Sequence, residues 1–237
     1  FNSCGGWSNI DLLSRADDPL SQTKVLYVVR NYAKTLALDI GKSGHTEFYA
    51  GVMPVFDPAF VDAARKTVAD GTKDYIGNPS VYGWLSDNEL PADVDMLYRY
   101  LTLDPSDPLN AFSYAAAWTW FAAATNKANP SVYDITPALS EEFKAFVYNR
   151  YFKTVTDAID KAGFGDYMYM GCRAHNQNET SEGYLRAAGH YVDVLSVNLY
   201  GGTVTGNKTS NTVCVLGEAI FNMYGGAITG CKATTKG

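Results

Sequence analysis

The sequence predicts an α/β fold of the (β/α)8 TIM-barrel type. Stretches with strand character alternate with stretches of helical character, and no hairpin turn such as Asn-Gly joins two strands, so we expect a parallel sheet. Two apolar stretches, Val81–Glu89 and Val213–Glu218, each end on a glutamate. Because α/β barrels place their chemistry at the carboxyl ends of parallel strands, both glutamates are expected at the functional end of the fold.

The number of strands predicts an incomplete barrel. Six stretches have strand character, and they end on or near Cys4, Arg30, Glu89, Arg173, Tyr200 and Glu218. A closed barrel needs eight strands and about 250 residues, whereas this chain has 237 residues and begins at Phe1 inside a strand. We therefore expect barrel strands two to seven in a single catalytic domain over residues 1–237, an excerpt of a longer chain. The other interpretation is that the barrel assignment is wrong.

Residue type and periodicity predict the individual elements. Strands are expected over Lys24–Arg30, Tyr167–Cys172 and Val192–Tyr200, and a strand-like or extended segment over Phe48–Val55. Four helices are expected: one opened by Asp57 and Pro58 with Phe60, Ala64 and Val68 facing inward, one over Ala111–Ala124, one over Pro137–Ala162, and one over Ser181–His190 capped by Thr180. The second of these helices is apolar almost all round, which predicts that it is buried.

Composition and charge exclude several classes of function. The net charge of −6, with no run of lysine or arginine, argues against a nucleic-acid partner. The chain has no stretch of about 18 or more consecutive apolar residues, so no membrane span is predicted. The four cysteines show no CxxC spacing, and neither a metal site nor a cofactor is predicted. The oligomeric state is left open.

Two strand-end glutamates support glycoside hydrolysis. A retaining glycosidase needs one proton donor and one nucleophile, with their carboxyl groups about 5–5.5 Å apart, and Glu89 and Glu218 can supply them. Trp84 and Leu90 are expected to form apolar walls beside Glu89. One glutamate at a strand end is equally well explained by a salt bridge or a helix cap, so it is the pair that favours catalysis.

Several motifs together resemble those of glycoside hydrolase family 50, the β-agarase family of the clan A (β/α)8 retaining glycosidases. They are Phe1-Asn2 with Gly6-Trp7-Ser8, Phe56-Asp57-Pro58-Ala59-Phe60, Asp87-Asn88-Glu89, Gly171-Cys172-Arg173, Asp193–Tyr200 and Gly217-Glu218. The set occurs in the family's order over nearly the whole chain, from the second barrel strand to just past the seventh. The resemblance therefore implies the barrel fold and a retaining mechanism.

The resemblance also implies roles for individual residues. Glu89 resembles the general acid/base of the family, and Glu218 resembles its nucleophile. Asn88 resembles the asparagine of the clan that hydrogen-bonds the sugar 2-hydroxyl, and Tyr200 resembles the aromatic hydroxyl that holds the nucleophile. Asp87 precedes Asn88 and Glu89, and we expect its side chain to point to the other face of the strand and to tie a loop.

Four further residues are candidate substrate contacts, each with an ordinary alternative. Arg173 could pair with Glu218 or with a structural carboxylate. His175 could contact a sugar or could be a solvated loop residue. Trp7 could stack on a sugar or pack in the core, and Asn198 could orient substrate or satisfy backbone groups.

The implied activity is hydrolysis of β-linked galactose units in agarose or a related marine galactan. The implied partner is a polysaccharide or oligosaccharide, and the implied location is secreted or periplasmic in a bacterium. Ala219-Ile220-Phe221 departs from the family, where a His-Phe pair is expected, so a β-galactosidase or β-glucanase of the same clan stays open. A non-catalytic carbohydrate-binding protein on a decayed barrel is the alternative outside the enzymes.

Overall fold

The structure of the chain is a computed structural model. It describes residues 3–6, 8–13, 20–36, 51–175, 180–198, 203–205 and 227–229. The chain divides into two compact units, Phe1–Ser196 and Val197–Gly237. The first unit contains nearly all of the described residues.

Parallel strands run in chain order through the first unit. Its described residues contain six strands: β1 (Ser3–Cys4), β2 (Ser21–Val25), β3 (Val81–Leu85), β4 (Asp87–Asn88), β5 (Met168–Tyr169) and β6 (Cys172–Arg173). One sheet has the order β1–β2–β3–β5, β4 pairs with β6, and all these pairings are parallel. The Ser86 N–H donates to the Gly171 carbonyl at 2.8 Å. β4 and β6 therefore continue β3 and β5 toward their carboxyl ends.

The segment that precedes Val197 lies beside β5 and β6. The Asp193 N–H donates to the Tyr169 carbonyl, and the Ala174 N–H donates to the Ser196 carbonyl, both at 2.8 Å. The first residues of the strand predicted over Val192–Tyr200 are thus in place, although they do not form a regular strand. A row of parallel segments in chain order is the arrangement that the sequence predicts, and closure into a barrel stays a prediction.

Helices separate these strands in the chain. The described residues contain seven α-helices, α1 (Ile10–Leu13), α2 (Val28–Thr35), α3 (Phe60–Thr72), α4 (Met96–Leu101), α5 (Ala111–Thr125), α6 (Pro137–Lys161) and α7 (Glu182–Tyr191), and two 3-10 helices, Lys73–Tyr75 and Val132–Asp134. α6 is the longest at 25 residues, and its predicted start is confirmed, because the Thr136 hydroxyl accepts the Leu139 N–H. Gly163 follows its end with a φ of 84°, a conformation that favours glycine.

The strand predicted over Lys24–Arg30 is wrong in its second half. β2 ends early, and α2 begins directly after Tyr27, whose φ of 60° is left-handed. The β-branched residues of this stretch favour a strand locally. However, the Asp87 carboxylate accepts the N–H groups of Val29 and Arg30, which stabilises a helix start at this point.

The helix predicted to start at Pro58, with Asp57 as its cap, begins two residues later. The Asp57 carboxylate accepts the Ala59 N–H at 2.9 Å and stabilises a turn, after which α3 starts at Phe60. The predicted inner face of this helix is confirmed, because Phe60, Ala64 and Val68 are fully buried.

A carboxylate of α6 holds the start of α7. Ser181 caps α7 by accepting the Tyr184 N–H at 3.2 Å, so the cap lies one residue after the predicted Thr180. Glu141 accepts hydrogen bonds from the Ser181 hydroxyl at 2.8 Å and from the Gly183 N–H at 2.9 Å. These contacts join α6, near its start, to the first turn of α7.

The prediction that α5 is a buried helix is wrong for most of its surface. Of its residues, Ser113, Ala117 and Phe121 are buried. Phe112 is 48% exposed, while the half-buried Trp118 donates its indole N–H to a carbonyl of α4 at 3.1 Å. A helix that packs on one side buries only one face, whatever the composition of the other faces.

The described part of the second unit contains two short strands. They are β7 (Thr203–Thr205) and β8 (Ala227–Thr229), which pair in parallel with Thr203 opposite Ala227. The strand predicted over Val213–Glu218 lies outside the described residues.

Candidate functional site

The candidate site lies at the carboxyl ends of β4 and β6. Asn88 is opposite Arg173 in the register of the two strands, and the Glu89 N–H donates to the Arg173 carbonyl at 2.9 Å. His175 is half-buried and lies two residues beyond Arg173. The structure therefore brings together Asn88, Glu89 and Arg173 at the strand ends, where α/β barrels carry their functional residues.

Glu89 has a strained backbone. Its φ is 54°, in the left-handed region, and the residue is half-buried. For a residue other than glycine this conformation costs about 1–2 kcal/mol. Such strain persists only where the surrounding structure over-determines it, and it is found most often at functional sites. The backbone conformation of Glu89 is therefore compatible with a functional role.

Contacts that follow Glu89 fix this conformation. The Leu90 N–H lies 3.5 Å from the Sγ atom of Cys172, and the Pro91 carbonyl accepts the Tyr148 hydroxyl at 2.7 Å. Leu90, Pro91 and Tyr148 are all buried. Loss of a contact would leave a buried polar group unpaired, which costs about 1–3 kcal/mol. β6 and α6 thus hold the chain that leaves Glu89.

Asp87 has the structural role that the sequence predicts. Its fully buried carboxylate accepts hydrogen bonds from the Val29 N–H at 3.0 Å, the Arg30 N–H at 3.3 Å and the Tyr151 hydroxyl at 2.9 Å. Burial raises the pKa of Asp87 to about 7, while these three hydrogen bonds and the charge of Arg30 act in the opposite direction. Asp87 ties the start of α2 to β4.

Hydroxyl groups extend the contacts of Asp87. The Ser86 Oγ atom lies 2.6 Å from the Tyr151 hydroxyl and 2.9 Å from the Tyr169 hydroxyl, and all three side chains are buried. Burial raises the pKa of both tyrosines, so the hydroxyls stay protonated. Sequence reasoning assigns these residues no function. A buried tyrosine hydroxyl needs a hydrogen-bond partner, and the sequence alone does not show which residue that partner is.

Cys172 is a buried free thiol beside the candidate acid. Burial raises the pKa of this thiol well above its usual range, because the thiolate would lose its hydration. The thiolate is the reactive form of cysteine, so Cys172 is a packing residue and not a nucleophile. Its carbonyl accepts the Tyr184 hydroxyl at 3.1 Å, which ties β6 to α7.

Trp84 does not form the wall that the sequence predicts beside Glu89. Its ring packs edge-on against Phe164 at 5.2 Å and lies 5.7 Å from the ring of Tyr167. These contacts place the Trp84 ring against the segment that follows α6. Leu90, the other predicted wall, is buried directly after Glu89.

The remaining predicted site residues are Trp7, Tyr200, Glu218 and Asn198. Trp7, Tyr200 and Glu218 lie outside the described residues. Asn198 is buried, with 2% of its surface exposed, and belongs to the second unit. The roles predicted for these residues stay predictions.

The described residues contain neither a candidate metal cluster nor a candidate membrane-spanning helix. No group of three or more histidine, cysteine, aspartate or glutamate side chains in the described ranges is placed to hold a metal ion. Among the helices in that part of the chain, none combines the length and the apolar composition needed to cross a bilayer.

Solved structures resemble this chain, although no protein-family profile and no curated protein matches it. The crystal structure of BpGH50 aligns with a TM-score of 0.69 and 22% identity, over 85% of this chain and 45% of that chain. The agarase AgWH50C aligns with a TM-score of 0.59 and 20% identity, over 84% and 29% of the two chains. An exo-β-agarase structure aligns with a TM-score of 0.61 and 19% identity, over 84% and 30%.

These alignments agree with the row of parallel strands. This chain spans less than half the length of the proteins it aligns with. At these identities the similarity concerns the fold. The resemblance is confirmed at that level, and the chain has the fold of glycoside hydrolase family 50 structures.

Proposed function

We propose that this chain is a retaining glycoside hydrolase that cleaves β-linked galactose units of agarose or a related marine galactan. The observation that carries the proposal is the Asn88–Glu89 pair at the end of a parallel strand, with Glu89 in a left-handed conformation. The fold adds support, because two of the solved structures with this fold are described as agarases.

The proposed mechanism is a double displacement. In the first step the carboxylate of Glu218 attacks the anomeric carbon while protonated Glu89 gives its proton to the leaving oxygen, which produces a glycosyl ester and a shortened galactan. In the second step Glu89, now ionised, takes a proton from water, and the hydroxide displaces Glu218 from the sugar. Asn88 donates a hydrogen bond to the 2-hydroxyl. Arg173 and Tyr200 stabilise the ionised nucleophile.

Turnover of agarose by the full chain tests this proposal. We expect wild-type protein to release reducing ends, Glu89→Gln to lower kcat by about 10²–10⁴-fold, and Glu218→Ala to be at least as damaging. Glu142→Gln is the matched control, because Glu142 is exposed and pairs with Arg186 on the surface at 2.8 Å. Full activity in both site variants would refute the assignment.

A panel of substrates separates this proposal from its rivals. Agarose and porphyran test the marine galactans, laminarin tests a β-glucanase, and aryl β-galactosides test a β-galactosidase. Wild-type protein that binds agar oligosaccharides without cleaving any substrate would be a carbohydrate-binding protein.

A further inference from the structure

Two tyrosines of α6 contact the chain on either side of Glu89. Tyr148 and Tyr151 are three residues apart on the helix, so they project from the same face, and both are fully buried. The Tyr151 hydroxyl contacts the residues before Glu89, and the Tyr148 hydroxyl contacts the residues after it. One rigid helix therefore holds both ends of the strained segment.

The contact before Glu89 uses two side chains. The Tyr151 hydroxyl lies 2.6 Å from Ser86 Oγ and donates to Asp87 at 2.9 Å. Both side chains are fully buried, so this hydrogen bond is shielded from water. It restrains the position of Asp87, two residues before Glu89.

The contact after Glu89 uses the backbone. The Tyr148 hydroxyl donates to the Pro91 carbonyl at 2.7 Å, two residues beyond Glu89. Proline has a fixed φ and no N–H, so its carbonyl is the group by which α6 can hold it. The segment between Asp87 and Pro91 is thus held at both ends by one turn of one helix.

We propose that Tyr148 and Tyr151 are positioning residues for Glu89, and this inference rests on the proposed function. The left-handed backbone of Glu89 is a conformation that an unrestrained glutamate would leave. The two hydroxyls keep the segment in place, so the carboxyl of Glu89 stays aligned with the leaving oxygen. Misplacement of a catalytic group by about 1 Å can cost on the order of 100-fold in rate.

Removal of single hydroxyls tests the inference in the full chain. We expect Tyr148→Phe and Tyr151→Phe each to lower kcat on agar oligosaccharides by roughly 10- to 100-fold with KM within about twofold of wild type. Tyr100→Phe is the matched control, because Tyr100 is equally buried and its hydroxyl donates to the Met53 carbonyl at 3.0 Å. The control should keep kcat within about twofold.

A second background separates positioning of Glu89 from general stability. In Glu89→Ala protein, an aryl β-galactoside with a good leaving group needs no acid, and added azide replaces the water that Glu89 would activate. If Tyr148 and Tyr151 act through Glu89, their replacement by phenylalanine should cause no further loss of kcat in the Glu89→Ala protein. An equal loss of kcat in the wild-type and the Glu89→Ala backgrounds would overturn the inference.

The other outcomes of these experiments also test the inference. Wild-type kcat in both tyrosine variants, with the wild type active and Glu89→Gln inactive, overturns this inference and leaves the proposed function standing. A wild type that cleaves none of the substrates overturns the proposed function, and the inference with it. If Tyr151→Phe does not fold, Ser86→Ala removes the oxygen 2.6 Å from the same hydroxyl and is judged by the same two backgrounds.

Discussion

Three consecutive residues at the end of β4 have three different tasks. The Asp87 side chain is fully buried and ties α2 to the strand, and Asn88 lies in register with Arg173. Glu89 leaves the strand with a left-handed φ and is half-buried. Successive side chains of a strand point to opposite faces, so neighbours in the sequence face different surroundings.

The buried carboxyl of Asp87 predicts a pH dependence of stability. The pKa of Asp87 is about 7 in the folded chain, above the ordinary value of 3.8 that applies when the chain is unfolded. The folded state therefore binds the proton more tightly, and this group stabilises the fold fully below about pH 4. Its contribution, on the order of a few kcal/mol, is lost as pH rises through 7.

Comparison with Asp87→Asn isolates this effect. We expect the wild type to lose free energy of unfolding relative to the variant as pH rises from about 4 to 7, with a constant difference above about pH 8. Urea unfolding of both proteins at several pH values measures it. A difference that does not change between pH 4 and 7 would show that Asp87 has the same pKa in the folded and unfolded chains.

At the scale of the elements, α6 organises the first unit. Near the start of α6, Glu141 holds α7, and the buried Lys144 donates to the same carboxylate at 2.7 Å. Burial alone would raise the pKa of Glu141, but hydrogen bonds from Lys144, Gly183 and Ser181 together lower it. About two turns after Glu141, Tyr148 and Tyr151 hold the strand end that carries Glu89.

The packing of α7 on α6 predicts opposite effects for two glycines of one helix. A Cβ atom at Gly183 would lie 2.0 Å from the Glu141 carbonyl oxygen, whereas one at Gly189 would meet nothing within 4 Å. We expect Gly183→Ala to destabilise the fold by about 1–3 kcal/mol or more, because the backbones of α6 and α7 must move apart.

Gly189→Ala is the control, and we expect it to stabilise the fold by up to about 1 kcal/mol, because alanine favours a helix. Thermal or urea unfolding of both variants measures the two effects. Equal stability of the two proteins would contradict the close approach of α7 to α6.

At the scale of the whole molecule, the alignments with solved structures cover most of this chain but less than half of each of those chains. The alignment with BpGH50 covers 85% of this chain and 45% of that one. The first unit of this chain contains a row of parallel strands, with the Asn88–Glu89 pair at the end of β4. The candidate nucleophile, Glu218, lies outside the described residues, and its role is open to a chemical test.

Covalent labelling provides that test. A 2-fluoro β-galactoside with a good leaving group should form the glycosyl ester and release it slowly, because the fluorine destabilises both transition states. We expect mass spectrometry to find the label on the peptide that contains Glu218. Glu218→Ala should remain unlabelled. A label on Glu89 or on any other side chain would assign the nucleophile elsewhere.

Local patterns in the sequence were sufficient for much of the fold and for part of the site. Alternation of strand and helix predicts the parallel arrangement, and a spacing of four predicts the buried face of α3. Apolar residues followed by Asn88 and Glu89 predict a functional strand end. Each of these inferences depends on residues that are close together in the chain, so a single stretch contains the whole signal.

The tertiary structure decided the features that depend on distant residues. Asp87 starts α2 in a stretch that favours a strand, and Tyr148 and Tyr151 hold the segment around Glu89 from a helix some 60 residues away in the chain. Packing on one side leaves Phe112 exposed on a helix that is apolar all round. Such contacts depend on which elements pack against each other, and no local pattern of residue types contains that information.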